Sequence, residues 1–181
     1  FPGLDGGTLG HWGNQSEETW ADGRWNDTIL GSVQCGVFHG PGVNVPRGVC
    51  LQLGDDHELA CCFNPDTLTY DAVWNGGFVK FSSVRHGFMH GLILDGQPVA
   101  YEKTDKPDQP FVYHGFYRHG RRVVFAYRIG ETEYLDAPWV AEGRITRVVA
   151  PADEHPLTHL LTPAAPQWPQ ELQTAIKRGN G

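Results

Sequence analysis

No run of apolar residues in this chain approaches the ~18 that a membrane-spanning helix needs. There is no CxxCH haem-attachment motif and no CxxC pair. The GxGxxG, P-loop, HExxH and GxSxG patterns are also missing, so no local motif marks a nucleotide, a catalytic zinc or an elbow serine. Basic residues are scarce: 14 Lys and Arg stand against 21 Asp and Glu, for a formal net charge of −7. That argues against a nucleic-acid binder, which shows a basic stripe, and against a polybasic membrane-surface patch. The chain starts at Phe1 rather than Met and reads as a processed or excised segment.

What is present is apolar and punctuated. Hydrophobic residues make up 40% and aromatics 12%, enough for one buried core in a chain of this length. Glycine (23) and proline (13) recur throughout, as expected of many short strands joined by tight turns. Residues 1–28 read as irregular, with Trp12, Trp20 and Trp25 anchoring them to the body. Strand-like text follows at 29–38, 48–53, 58–63, 68–74, 78–81, 92–94, 98–101, 111–118, 122–129, 132–135 and 144–150. Gly54-Asp55-Asp56, Asn75-Gly76-Gly77 and Asp95-Gly96 supply turns between them. The pattern predicts an all-β fold, an antiparallel β-sandwich of about ten short strands spanning 1–150. Prolines 151, 156, 163, 166 and 169 then block regular pairing. Residues 151–181 read as a Pro-rich tail or interdomain linker, with a short helix expected over 170–178.

Five histidines, His39, His86, His90, His114 and His119, are each followed by glycine. An imidazole beside a residue without a side chain is open to close approach. Three such ligands with an open position would suit copper or zinc. Spacing limits the choice. On a strand His86 and His90 would lie about 13 Å apart, while His114 and His119, five apart, would face opposite sides. A metal site drawing on His86, His114 and His119 therefore needs the two segments to meet across strands. The competing reading is that these histidines pack against aromatics and hydrogen-bond to backbone.

A second cluster is aromatic and basic. Tyr113, Phe116, Tyr117, Tyr127, Tyr134 and Trp139 crowd together with Arg118, Arg121, Arg122 and Arg128 interleaved. Aromatic faces beside guanidinium forks suit sugars or carboxylates, so Tyr113, Tyr117, Arg118, Arg121 and Trp139 are the predicted ligand contacts. The alternative puts half of these aromatics in the core by simple alternation. Other chemistries have less behind them. Ser82 and Ser83 lie near His86 without an elbow or oxyanion-hole motif. Asp66, Asp71, Glu131, Glu133 and Asp136 offer carboxylates for a glycosidase pair, with nothing in the sequence to choose among them. Of Cys35, Cys50, Cys61 and Cys62, the adjacent pair does not bridge to itself, because strand neighbours face opposite sides. One disulfide drawn from Cys35, Cys50 and one of the pair is one reading; four inert buried thiols is the other.

The wording of several segments carries a resemblance. GHWG, WADGRWND, GSVQCGVFHG, the stretch GVCLQLGDDHELACCFNPDTLTYDAVWNGGFVKFSSVRHGF, PFVYHGFYRHGRRVVFAYRIG and EYLDAPWV together resemble a domain of uncharacterised function. That domain occurs in large secreted proteins of planctomycete and verrucomicrobial type. There it accompanies a sugar-dehydrogenase-like β-propeller and a c-type cytochrome domain. The resemblance covers roughly residues 1–165. It implies an all-β fold, a periplasmic or secreted location, and redox chemistry that belongs to the flanking propeller or cytochrome c domains. Neither the propeller nor the haem motif is in this chain, so dehydrogenase activity and haem binding are not carried over. Similar sequences commonly have an acidic residue where this chain has His90, which favours His86, His114 and His119 as ligands. The expected function is a non-catalytic module of a larger redox protein, serving as a docking or carbohydrate-binding platform. A His-based metal protein and a structural spacer are the alternatives.

Overall fold

The structure, a computed structural model, describes residues 28–83 and 90–161. Eleven strands follow one another among these residues: β1 (Val33–Gly40), β2 (Val43–Leu53), β3 (Leu59–Asn64), β4 (Thr69–Asn75), β5 (Val79–Phe81), β6 (Leu92–Leu94), β7 (Gln97–Pro98), β8 (Phe111–His119), β9 (Arg122–Ile129), β10 (Thr132–Ala141) and β11 (Arg144–Pro151). They form a seven-stranded sheet, ordered β5-β6-β1-β2-β3-β4-β7, and a four-stranded sheet, ordered β11-β10-β9-β8. All pairings are antiparallel except β1 with β6. The all-β, two-sheet expectation holds. Among the described residues no helix is long and apolar enough to cross a membrane.

The core has three layers because each sheet buries residues on both of its faces. Between the sheets, Val49, Leu51, Phe63, Tyr70 and Val73 pack on Val123, Phe125 and Tyr127. Phe63 stacks on Phe125 with ring centroids 3.9 Å apart. The far face of the four-stranded sheet (Val124, Leu135, Ala137, Val148) is covered by Leu160. That leucine belongs to a short helix, α1 (Leu157–Leu161), which follows Pro156 in the stretch read from sequence as tail. The packed body therefore runs at least to Leu161. The helix expected at 170–178 and the Trp-anchored segment 1–27 lie outside the described residues.

The far face of the seven-stranded sheet is closed by the sheet itself. β7 lies beside β4, and β6 lies beside β1 at the opposite edge. Yet β4→β5 and β6→β7 run side by side as one two-stranded ribbon, which must cross over that face. Phe78, Val79 and Leu92 of the ribbon meet Phe38, Val45, Cys50, Ala60, Cys62, Ala72 and Trp74 beneath it. Trp74 stacks on Phe38 and donates its indole N–H to the Phe78 carbonyl at 2.6 Å. The Asn75-Gly76-Gly77 and Asp95-Gly96 signals are thus not separate hairpin ends. They are the two sides of one bend, where a Cβ on Gly77 would stand 2.3 Å from the Asp95 carbonyl oxygen. One on Gly96 (φ +145°) would stand 2.3 Å from that of Asn75. β3, with all six residues buried, lies under both layers, which is why its text, LACCFN, does not alternate.

One polar cluster sits inside this apolar body. Asp136 is fully buried. Its carboxylate accepts from Arg147 Nε at 3.2 Å and Nη2 at 2.5 Å, from Tyr70 Oη at 3.2 Å and from Tyr127 Oη at 3.3 Å. The Arg147 guanidinium also lies 5.1 Å from the Tyr70 ring centre. Tyr70 comes from one sheet and the other three from the second, so the cluster ties the sheets together. Burial would lower the basicity of Arg147, but the Asp136 charge outweighs it and holds the guanidinium above its ordinary value. Burial, and then the Asp136 charge, push both phenols up.

Asp136→Ala leaves a buried guanidinium and two phenols without their acceptor and costs about 3–5 kcal/mol in urea unfolding. The exposed Arg47→Ala leaves the midpoint unchanged. Tyr70 and Tyr127 lose protons later when folded than when unfolded, where a phenol titrates near pH 10. Their contribution is therefore complete below about pH 10 and is lost as pH rises above it; urea midpoints at pH 8 and 11 measure this. Separately, Gly96→Ala lowers the midpoint more than Gly143→Ala. Both glycines have positive φ, but a Cβ at Gly143 meets nothing within 4 Å.

Candidate functional site

The cleft arises where two strands fall out of register. β2 outruns β3: its pairing with β3 starts at Val49, whereas its pairing with β1 extends to Val43. Pro46 and Arg47 lie in that overhang and form a bulge, the two of them opposing only Val37 of β1. Proline is tolerated there because β3 does not reach it to require its missing N–H. Opposite the overhang, the edge strand β8 has its own bulge, between Tyr113 and Gly115. Gly115 has φ +139°, a conformation L side chains rarely adopt.

Between these irregular strands lies a cleft of about 730 Å³. Phe111, Tyr113 and Phe116 of β8 form one wall; Cys35, Pro46, Arg47, Val49, Pro65 and Asp66 form the other. The aromatic wall has a rigid backing, since Tyr113 leans on Phe63 and Phe125 with centroids 5.9 and 6.4 Å apart. Burial, then the neighbouring Cys35, push the Tyr113 phenol up to about 12, so it remains a neutral donor through the physiological range.

The other rim carries charge. Arg47 Nε reaches Asp66 Oδ2 at 3.3 Å, and its Nη2 pairs with Oδ1. Asp66 is fixed by the turn between β3 and β4. Its backbone N–H donates to Asn64 Oδ1 at 3.0 Å, and Asn64 donates to Asp71 Oδ2 at 2.7 Å. Thr69 donates to the other Asp71 oxygen at 2.6 Å. Sequence reasoning overlooked Arg47. The proline before it was the available signal, because a proline within a strand is confined to edges and bulges.

The predicted ligand residues do not share one surface. Tyr113 lines the cleft. Arg118 points between the sheets, donating to Ser32 Oγ at 3.3 Å and to the Gly120 carbonyl at 2.9 Å. Arg121 reaches the first sheet, donating to the carbonyls of Gly54 and Asp55 at 3.2 and 2.5 Å. Tyr117 and Trp139 lie on the far face of the four-stranded sheet, where the Arg122 guanidinium sits 3.4 Å over the Trp139 ring. The two guanidiniums picked from sequence thus tie the β8–β9 hairpin to Ser32, before β1, and to the β2–β3 turn.

Of the predicted metal residues, the two that are described, His114 and His119, do not meet either. His86 lies outside the described residues. The β8 bulge shifts the alternation, so His114 and His119 share the far face instead of opposing each other, as strict alternation had required. They are still about 13–16 Å apart along the strand. His114 Nε2 pairs with Glu133 Oε2 at 2.9 Å, and Arg128 Nε approaches the other Glu133 oxygen at 3.7 Å. His90 instead meets His39, with centroids 5.4 Å apart. Among the described residues no three metal-ligating side chains gather.

The glycines after these histidines have backbone reasons. Gly91, Gly115 and Gly120 have positive φ, and Gly40 is crowded by Val43 and Phe38. Of the carboxylates considered for a glycosidase pair, Asp136 is held in the buried cluster, Asp71 braces the β3–β4 turn and Glu133 holds His114. All four cysteines are free thiols; Cys50, Cys61 and Cys62 are buried but Cys35 is exposed.

No curated protein and no solved structure matches the chain. Residues 61–136, from β3 into β10, match a family model described as a domain of unknown function (DUF6797). The match takes in the aromatic wall of the cleft and stops short of β1, β2 and Arg147.

Proposed function

We propose that this domain is a non-catalytic carbohydrate-binding module of a larger extracytoplasmic redox protein, and that its ligand lies in the cleft between β2 and β8. One observation carries the reading: the rigidly backed Tyr113 ring faces an exposed Arg47–Asp66 pair across an open cleft. A sugar ring offers an apolar C–H face and a rim of hydroxyls. Aromatic rings accept the first, while a carboxylate and a guanidinium can accept from and donate to the second. The volume suits one or two sugar units rather than a buried cofactor. Location and company rest on the resemblance described above: the flanking propeller or cytochrome c domain would carry the redox chemistry, and this module would hold or present the carbohydrate.

A glycan array followed by titration calorimetry tests the reading. A bound glycan should lose at least tenfold in affinity in Tyr113→Ala and in Asp66→Asn. Tyr117→Ala and Trp139→Ala, on the other face, should bind as the wild type does. Failure of every glycan to bind, or a loss confined to Tyr117→Ala and Trp139→Ala, would contradict it.

A further inference from the structure

We infer that Cys50 and Cys62 are a redox pair, placed to form a disulfide across β2 and β3 under oxidising conditions. The two residues stand directly opposite each other in the β2–β3 register. The hydrogen-bond pattern fixes the kind of pair. Gln52 donates its backbone N–H to Ser32 at the β1 side, and backbone groups alternate along a strand. The N–H and C=O of Cys50 therefore also point to β1, and Cys50↔Cys62 is a non-hydrogen-bonded pair of the β2–β3 ladder. Such pairs bring Cα atoms to about 4.5 Å, inside the roughly 4.4–6.8 Å window that a disulfide spans.

The side chains agree with the backbone. Both cysteines are fully buried in the core under the ribbon. The Cys62 thiol is pushed up first by its hydrogen bond with Cys50 and then by burial, in keeping with two thiols on one face of paired strands. No other pairing competes. Cys61 faces the opposite side, in the core between the sheets. Cys35 opposes Val49 on β1, so the whole of β2, roughly two 4.8 Å strand spacings, separates it from Cys61 on β3.

The chemistry is thiol–disulfide exchange with a low-molecular-weight or protein disulfide as oxidant. One cysteine thiolate attacks the oxidant, forming a mixed disulfide and releasing one thiolate. The second cysteine thiolate then displaces the other. Two protons and two electrons leave the cysteines, and the S–S bond of the oxidant is reduced to two thiols. Because both sulfurs are buried, exchange belongs to the folding chain, before the ribbon closes. The bond would join strands that lead, within three and four residues, to Arg47 and Asp66. It does not depend on the carbohydrate reading, and its persistence requires an oxidising compartment.

The test uses the whole chain, unfolded with reductant and refolded in a glutathione redox buffer. The product is then denatured and alkylated with N-ethylmaleimide without reduction. We expect two labels rather than four by intact mass, on Cys35 and Cys61, and a peptide linking Cys50 to Cys62. The Cys35→Ser, Cys61→Ser double variant should carry no label after the same treatment. Four labels on the wild type, or a linked peptide that includes Cys35 or Cys61, would overturn the inference.

Discussion

The Asp136 carboxylate organises the interior. A fully buried charge is costly unless it is paired and hydrogen-bonded, and here four donor atoms from three partners converge on two oxygens. Each partner comes from a different strand, β4, β9 or β11, so the cluster forms only when the two sheets are correctly stacked and registered. Hydrophobic burial drives the sheets together without fixing their relative slide. The Tyr70–Asp136 bond, the hydrogen bond of the cluster that spans the interface, does fix it, with the Arg147 guanidinium over the Tyr70 ring beside it. The Phe63–Phe125 stack and the Tyr113 wall follow from the same alignment.

The cleft is where regularity stops. A continuous ladder would have filled the space that the Pro46–Arg47 bulge of β2 and the β8 bulge leave open. Its rim side chains are held from outside the cleft: Tyr113 by Phe63 and Phe125, Asp66 by the Asn64–Asp71 network. Support of this kind suits a ligand surface, since little ordering remains to be done on binding.

Much of the fold was legible in the sequence because turn chemistry is local. The hairpins at Gly54-Asp55, Gly120 and Gly130 fall where glycine and acidic residues predict them. The closing ribbon was not legible, because Asn75-Gly76-Gly77 and Asp95-Gly96 each look like a complete turn. Only their long-range pairing shows that together they form one bend. Strand β10 was cut short at Leu135 because Pro138 reads as a terminator, yet the strand continues there paired with β11 alone. Half of β2 was missed for the same reason at Pro46. Of the residues expected to contact a ligand, Tyr113, chosen for its aromatic context, lines the cleft. Arg118 and Arg121 were chosen on charge, but their neighbouring carbonyls and hydroxyl, set by the tertiary fold, occupy them. The repeated His-Gly text drew attention to the imidazoles, whereas in the described pairs the glycine answers a demand of the backbone.

The central claim is that the ligand surface is the cleft and not the far face of the four-stranded sheet. Amide chemical-shift mapping on isotope-labelled protein, titrated with the tightest glycan from the array, tests it most directly. The account predicts shifts clustered at 35–36, 46–49, 65–66 and 111–116. Shifts concentrated instead around Tyr117, Arg122 and Trp139, with those segments unmoved, would contradict it.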